Sequence, residues 1–483
     1  MKKKLYIIAI ATALAACTVV DDGMVADNVT GVPSANDDRY DGYAENPFLD
    51  VADYPVSTFS VDADGASYAN ARRFIEEGQA VPADAVRVEE FINYFTYDYP
   101  DPDTGEEVSL DAELFPCPWA ADHHLLRVGL KGREIAAADL PPANLVFLVD
   151  VSGSMEPADR LPLLKEGLSL MVEGLRPVDR VAIVTYAGRA GVSLPSTACS
   201  ASGKVTIQAA IARLGTKGAT AGAAGIAKAY QIALDNFESL GNNRVILGTD
   251  GDFNVGVSSK EELVAIIKEK RKSGVYLTVL GVGRGNLNDA MMEQLADNGN
   301  GNYEYISDAA QLRKIFIDER VRFYTVARDC KVQLAFNPAR VAAYRLIGYE
   351  NRVLDQGQFD DDREDAGEIG VGQTITALHE LKLLDAPGES LATLSVRYKK
   401  EVQALSRLLS RDIPGEIAGS ISGNSRFAAA VTGAGLLLKR SAYKGTLDWT
   451  MVETLAADAI AYDPGGYRAD FLRVVAILKQ RGY

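Results

Sequence analysis

Residues 144–154, NLVFLVDVSGS, decide the fold. Five consecutive apolar residues, Leu145, Val146, Phe147, Leu148 and Val149, leave no polar alternation, and such a run suits a strand buried on both faces of a parallel sheet. The strand ends in Asp150-Val151-Ser152-Gly153-Ser154, so one carboxylate and two hydroxyls fall on the turn at its carboxyl end. Those are hard oxygen donors of the kind Mg2+ or Mn2+ takes.

Two further stretches belong with it. Residues 244–251, RVILGTDG, form a second apolar strand that ends in Asp250. Between the two, residues 215–222, GTKGATAG, are a glycine-rich loop carrying Thr220 ahead of a helical pattern. In a doubly wound sheet, ligands bind beyond the carboxyl ends of the strands where the strand order reverses, and neighbouring strands there would present Asp150 and Asp250 together. Two carboxylates balance one divalent charge. Hydroxyls of Ser152, Ser154 and Thr220 supply further donors, and an octahedral ion keeps at least one exchangeable position for water or for a partner's carboxylate.

Asp150-x-Ser152-x-Ser154, Thr220 and Asp250-Gly251 resemble the metal-ion-dependent adhesion site of von Willebrand factor type A (vWA) domains. The resemblance implies a metal site of Asp150, Ser152, Ser154, Thr220 and Asp250, holding Mg2+ or Mn2+ and receiving an acidic side chain from a protein partner. The family's usual loop has Ser directly before the metal Thr; here that residue is Ala219.

The surrounding pattern repeats strand and helix. Leu164, Leu168, Met171, Val172 and Leu175 make one apolar helix face after Pro162, residues 181–186 form the next strand, and helical patterns follow around Ile207, Ile211 and Leu214 and over 226–237. Residues 275–282 and 303–306 are further strands, with a helix over 288–296 between them. Repeated strand and helix means a parallel sheet covered on both faces. Flanking this unit the period changes to two. Val108, Leu110, Ala112 and Leu114, then Leu126, Val128 and Leu130, alternate on the amino-terminal side; Val332, Leu334 and Phe336, then Leu394, Val396 and Tyr398, do so on the carboxyl-terminal side. The expected fold is therefore α/β, a doubly wound, mainly parallel, Rossmann-like vWA sheet inserted in a β-rich domain, with a C-terminal helical piece. The boundaries expected are a lipoprotein signal peptide over 1–16, a flexible tether over 17–45, an α+β section over 46–140 and the vWA domain over 141–323. A β-rich section over 324–407 pairs with the amino-terminal section, and a linker over 408–424 leads to helices over 425–483.

The leader has a basic start, Lys2 to Lys4, a short apolar core, and Leu14-Ala15-Ala16-Cys17, which resembles a bacterial lipobox. Cys17 would carry the lipid, and several acyl chains at about 0.8 kcal/mol per buried methylene anchor a protein without a spanning helix. The expected location is a bacterial cell envelope, on the outer membrane if the cell is Gram-negative. A net charge of -16 over 483 residues argues against nucleic acid as a partner and against electrostatic docking on anionic lipid. Three histidines and no CxxC leave a zinc centre or a histidine triad poorly supplied, and His123-His124 reads as a solvated strand end. An exported chain could bridge two of Cys117, Cys199 and Cys330.

The best enzyme alternative is a Mg2+-dependent phosphatase. Asp62-Ala63-Asp64-Gly65 resembles the nucleophile motif of haloacid-dehalogenase-type phosphatases, with residues 250–254 as an acidic metal motif. Against it, residues 57–61 lack the apolar run of a buried strand, and Ala66 stands where that motif has Thr or Val. A purely structural, metal-free scaffold is the third possibility. Residues 281–285, GVGRG, lack the spacing of a phosphate loop and read as a tight turn.

Beyond the metal motif, nearly the whole chain resembles the YfbK-type bacterial lipoproteins with a vWA domain. The carrying stretches are 57–68 (STFSVDADGASY), 86–99 (VRVEEFINYFTYDY), 243–256 (NRVILGTDGDFNVG), 344–352 (YRLIGYENR) and 365–380 (DAGEIGVGQTITALHE). Gln373 and His379 stand where that pattern has His and Tyr. The resemblance implies architecture and anchoring more than a function.

Overall fold

A computed structural model describes residues 38–62, 64–217, 222–251, 260–386, 390–401 and 404–483. The leader, Cys17, most of the tether, Thr220 and its neighbour Ala219 lie outside the described residues.

The strand formed by the apolar run Leu145 to Val149 spans Ala143–Asp150 and is buried at every position. It lies inside a six-stranded sheet ordered Tyr303–Ile306, Tyr276–Val282, Asn242–Thr249, Ala143–Asp150, Arg180–Ala187, Arg189–Ala198. Every neighbouring pair is parallel except the last. Successive side chains of the central strand enter opposite cores, as the two-residue period requires. Leu145, Phe147 and Val149 pack with Leu164, Leu168 and Val172 of the helix Leu161–Gly174. Val146 and Leu148 face the other way, into a core shared with Ile226, Tyr230, Leu263 and Leu295. Gly248 lets the first of those helices sit close, since a Cβ there would lie 2.3 Å from Leu164 Cδ2.

The flanking strands close a two-layer sandwich. One sheet is ordered Leu49–Asp50, Val341–Ile347, Thr374–Leu383, His124–Gly132, Val108–Pro116. The other is ordered Gly367–Gly370, Thr325–Phe336, Ser390–Lys399, Arg407–Pro414, and Val56–Ser60 also pairs with Thr325–Phe336. The chain therefore leaves the sandwich after Gly132, builds the parallel sheet, and returns at Thr325. Its sequence-alternating residues, among them Val108, Leu110, Leu126, Val128, Leu130, Val332, Leu334, Phe336, Leu394, Val396 and Tyr398, share one buried core. Helices Ala66–Glu76, Val88–Asn93, Gly423–Lys439, Trp449–Ala457 and Tyr467–Arg481 form a third element. Tyr68, Tyr94, Phe95, Phe427 and Phe471 interlock there edge to face, with Phe95–Phe427 ring centroids 5.0 Å apart.

Three expectations need correction, and one strand carried no sequence signal. Part of the stretch assigned as a linker over 408–424 is the strand Arg407–Pro414, paired antiparallel to Ser390–Lys399. It is an edge strand with mostly exposed side chains, so it carries no hydrophobic alternation. The edge strand Arg189–Ala198 escaped notice for the same reason; it follows Arg180–Ala187 through a turn at Gly188, whose φ is 70°. Residues 57–61, read as lacking a buried strand, largely form one, Val56–Ser60. Its buried polar side chains have partners: Ser57 Oγ lies 2.9 Å from His379 Nε2, and Gln333 Nε2 donates to Thr58 Oγ1 at 3.1 Å. His123 and His124 are half-buried, and His123 Nδ1 is 2.5 Å from Glu380 Oε1.

Cys117, Cys199 and Cys330 are each buried in a different core and form no bridge with one another. Among the described residues no helix is long and apolar enough to cross a membrane.

His379 carries a pH dependence. It is fully buried among Phe59, Phe336 and Tyr344, and burial drives its imidazole from 6.5 down to about 3. The folded protein keeps the ring neutral while the unfolded chain protonates it near 6.5. Its contribution to stability is thus whole above pH 6.5 and drains away as pH falls toward about 3. His379→Gln, which keeps a hydrogen-bonding group for Ser57, is expected to flatten the fall of the urea midpoint across that window; an unchanged pH slope contradicts this.

Candidate metal centre

The sheet register assembles the site. Val149 is paired with Gly248, so the two strands end side by side and each continues into an aspartate, Asp150 immediately and Asp250 after Thr249. This is the reversal point of the strand order, where a doubly wound sheet opens a crevice.

Asp150 is fully buried. Its Oδ1 accepts the backbone N–H of Ser152 at 2.9 Å, a local turn that brings the Ser152 hydroxyl back over the carboxylate. Ser152 Oγ and Ser154 Oγ lie 3.0 Å apart. Thr249 Oγ1 donates to Asp150 Oδ2 at 3.2 Å and accepts the N–H of Gly251 at 3.1 Å. Gly251 has φ 82°, and a Cβ there would sit 2.8 Å from the backbone N of Asn288. Only glycine suits that turn. The third loop reaches the first, because Lys217 N donates to Val151 O at 2.6 Å. Thr220, three residues further on, lies outside the described residues.

Asp250 is also fully buried. Its Oδ2 accepts from Arg160 Nη1 at 2.7 Å and from Asn286 Nδ2 at 3.3 Å. Burial, followed by the hydrogen bonds from Ser152 that oppose it and then the nearby Asp250 charge, leaves the Asp150 carboxyl pushed up to about 6. Two buried carboxylates beside two hydroxyls make an all-oxygen donor set with excess negative charge, which fits a small hard divalent cation. Among the described residues no group of three or more His, Cys, Asp and Glu side chains is placed to hold a metal ion. The chemistry here is that of two carboxylates helped by hydroxyls.

Four of the five residues read from the sequence, Asp150, Ser152, Ser154 and Asp250, are brought together. Thr249, Arg160 and Asn286 were missed. Thr249 had a signal, a hydroxyl next to Asp250 at a strand end; Arg160 and Asn286 had none, since only tertiary folding brings them to the carboxylates. The alternative pair lies elsewhere. Asp62 Oδ2 is 3.0 Å from Arg352 Nη2, which also bonds Asp297 at 2.6 Å, and Asp64 Oδ1 accepts the N–H of Tyr303 at 3.0 Å. These carboxylates join the inserted sheet to the flanking section.

Against known proteins, the chain is 42% identical over 469 residues to "Uncharacterized protein YfbK" of Escherichia coli (strain K12), a match spanning 91% of this chain and 80% of that one. The chain belongs to the YfbK family. Family models agree along its length: von Willebrand factor over residues 34–127, von Willebrand factor type A domain over 144–317, and the YfbK C-terminal model over 321–389 and 385–480. Among solved structures, von Willebrand factor type A from Catenulispora acidiphila is 16% identical, with a TM-score of 0.46 over 76% of this chain and 89% of that chain. The ArnB paralog VWA2 from Sulfolobus acidocaldarius is 16% identical, with a TM-score of 0.39 over 78% and 98%. In this YfbK-family chain the vWA sheet is the Ala143–Asp150 unit, and the C-terminal family match covers the returning sandwich strands and the last three helices.

Proposed function

We propose that this YfbK-family chain is a lipid-anchored cell-envelope binding module whose vWA domain takes up Mg2+ or Mn2+ and through it captures a protein partner. The observation that supports the reading most is the pair of fully buried carboxylates, Asp150 and Asp250, at the reversal point of the sheet, with the Ser152 and Ser154 hydroxyls 3.0 Å apart on the turn that follows Asp150. Asp150, Ser152, Ser154, Asp250 and Thr220 would hold the ion. Once bound, it supplies a positive, coordinatively open position for an acidic side chain. Thr249 and the Ser152 N–H orient Asp150, and the neighbouring strands fix the separation of the two carboxylates. An ion also answers a problem of charge, since a chain of net charge -16 has little long-range attraction for an acidic partner. Cys17, as the lipidated residue, would place the module on a bacterial membrane.

Two experiments follow. A pull-down from envelope extract with Mg2+ is expected to retain a partner that EDTA, Asp150→Ala or Asp250→Ala releases. Retention that survives all three removes the metal-dependent reading. Expressed from its own leader, the chain is expected to incorporate labelled palmitate and sediment with membranes, and Cys17→Ser to lose both; an unlabelled wild type removes the anchor.

A further inference from the structure

Arg160 occupies an unusual place beside the two carboxylates. Its side chain is only 12% exposed and its guanidinium makes four contacts that tie three loops together. Nη1 donates to Asp250 Oδ2 at 2.7 Å and to Ser154 O at 2.7 Å, while Nη2 donates to Asn286 Oδ1 at 2.6 Å and to Arg284 O at 2.9 Å. Nε is buried without a hydrogen-bond partner and lies against Gly283, where a Cβ would stand 2.5 Å from it. The cost of burying that Nε is tolerated because the charge answers a buried carboxylate.

The loop that Arg160 grips, residues 283–288, is held from outside the parallel sheet. Asp38 Oδ1 accepts from Leu287 N at 2.8 Å, Arg39 N donates to Leu287 O at 2.7 Å, and Arg284 pairs with Glu77. Arg160 is therefore the link between the candidate metal centre and Asp38 and Arg39, the first described residues, which fall within the stretch expected to be tether.

We propose that Arg160 is the resident counter-cation of the site: it competes with the divalent ion for Asp250, and ion uptake releases it and loosens the 283–288 loop from Asp38, Arg39 and Glu77. The inference rests on the metal-binding reading above. Its basis is that Asp250 Oδ2 already receives two donors, so direct use of that oxygen by an ion displaces one of them. A guanidinium and a divalent cation sharing one buried carboxylate also repel strongly where water is excluded.

The test titrates the full chain with Mg2+ by calorimetry, comparing wild type, Arg160→Gln and Asp150→Ala. Arg160→Gln is expected to bind Mg2+ at least about tenfold more tightly than wild type. In EDTA it is expected to melt below wild type, because Asp250 has lost its cation, and Mg2+ is expected to restore most of the difference. An arginine with only a structural role would lower the melting temperature equally in both buffers, and that result, or unchanged or weaker Mg2+ binding, overturns the proposal. Hydrogen exchange on the wild type needs no variant: Mg2+ is expected to speed exchange in residues 283–288, and unchanged or slower exchange overturns the release. If neither wild type nor Arg160→Gln binds Mg2+, the metal reading itself falls and takes this inference with it. Binding by wild type without tightening in Arg160→Gln overturns the inference alone.

Discussion

Two carboxylates that cannot reach water are the constraint on which the rest of the site depends. Asp150 and Asp250 sit at the ends of adjacent parallel strands because Val149 pairs with Gly248, and both are fully buried. A register slip of one residue would turn either strand inside out, so the apolar faces that fix the cores also fix the carboxylates. Burying like charges together is unfavourable unless something positive or protic answers them. Here Thr249, the Ser152 N–H, Arg160 and Asn286 do so, and each belongs to a different local segment.

The inserted sheet is held to the rest of the molecule by a second set of buried charges. Arg87 reaches from the flanking helix Val88–Asn93 region to Glu90, to Asp289 at 2.5 Å and to Glu293 at 3.4 Å on the helix Asp289–Asn298, and Arg352 joins Asp62 to Asp297. Carboxylates outnumber cations there, and burial pushes Glu293 up to about 8 and Glu89 to about 7. Such networks add little net stability, yet losing one partner strands a buried charge, so they fix relative placement. The helix that carries Asp289 and Glu293 starts directly after the 283–288 loop, which makes the flanking section a structural neighbour of the candidate metal centre.

The parts of this architecture legible in the sequence are those whose signal is local. Leu145 to Val149 announced a doubly buried strand, and the alternation at Val108, Leu110, Val332 and Leu334 announced a half-buried one, because burial imposes periodicity directly. Edge strands impose none, which is why Arg189–Ala198 and Arg407–Pro414 were not seen. Val56–Ser60 misled in the opposite sense: Ser57 and Thr58 break the apolar run expected of a buried strand, but partners distant in sequence, His379 and Gln333, let them be buried. At the site, the motif residues Asp150, Ser152, Ser154 and Asp250 were readable from spacing. Arg160 was not, since an arginine before a helix is ordinarily a surface residue and its role comes from a loop more than a hundred positions away.

The most direct measurement is anomalous diffraction from crystals of the full chain grown with Mn2+. A divalent-metal centre at this point predicts a single strong anomalous peak between Asp150 and Asp250, with the hydroxyls of Ser152, Ser154 and Thr220 directed at it. Saturating Mn2+ with no peak there, or a peak bound by other residues, contradicts it.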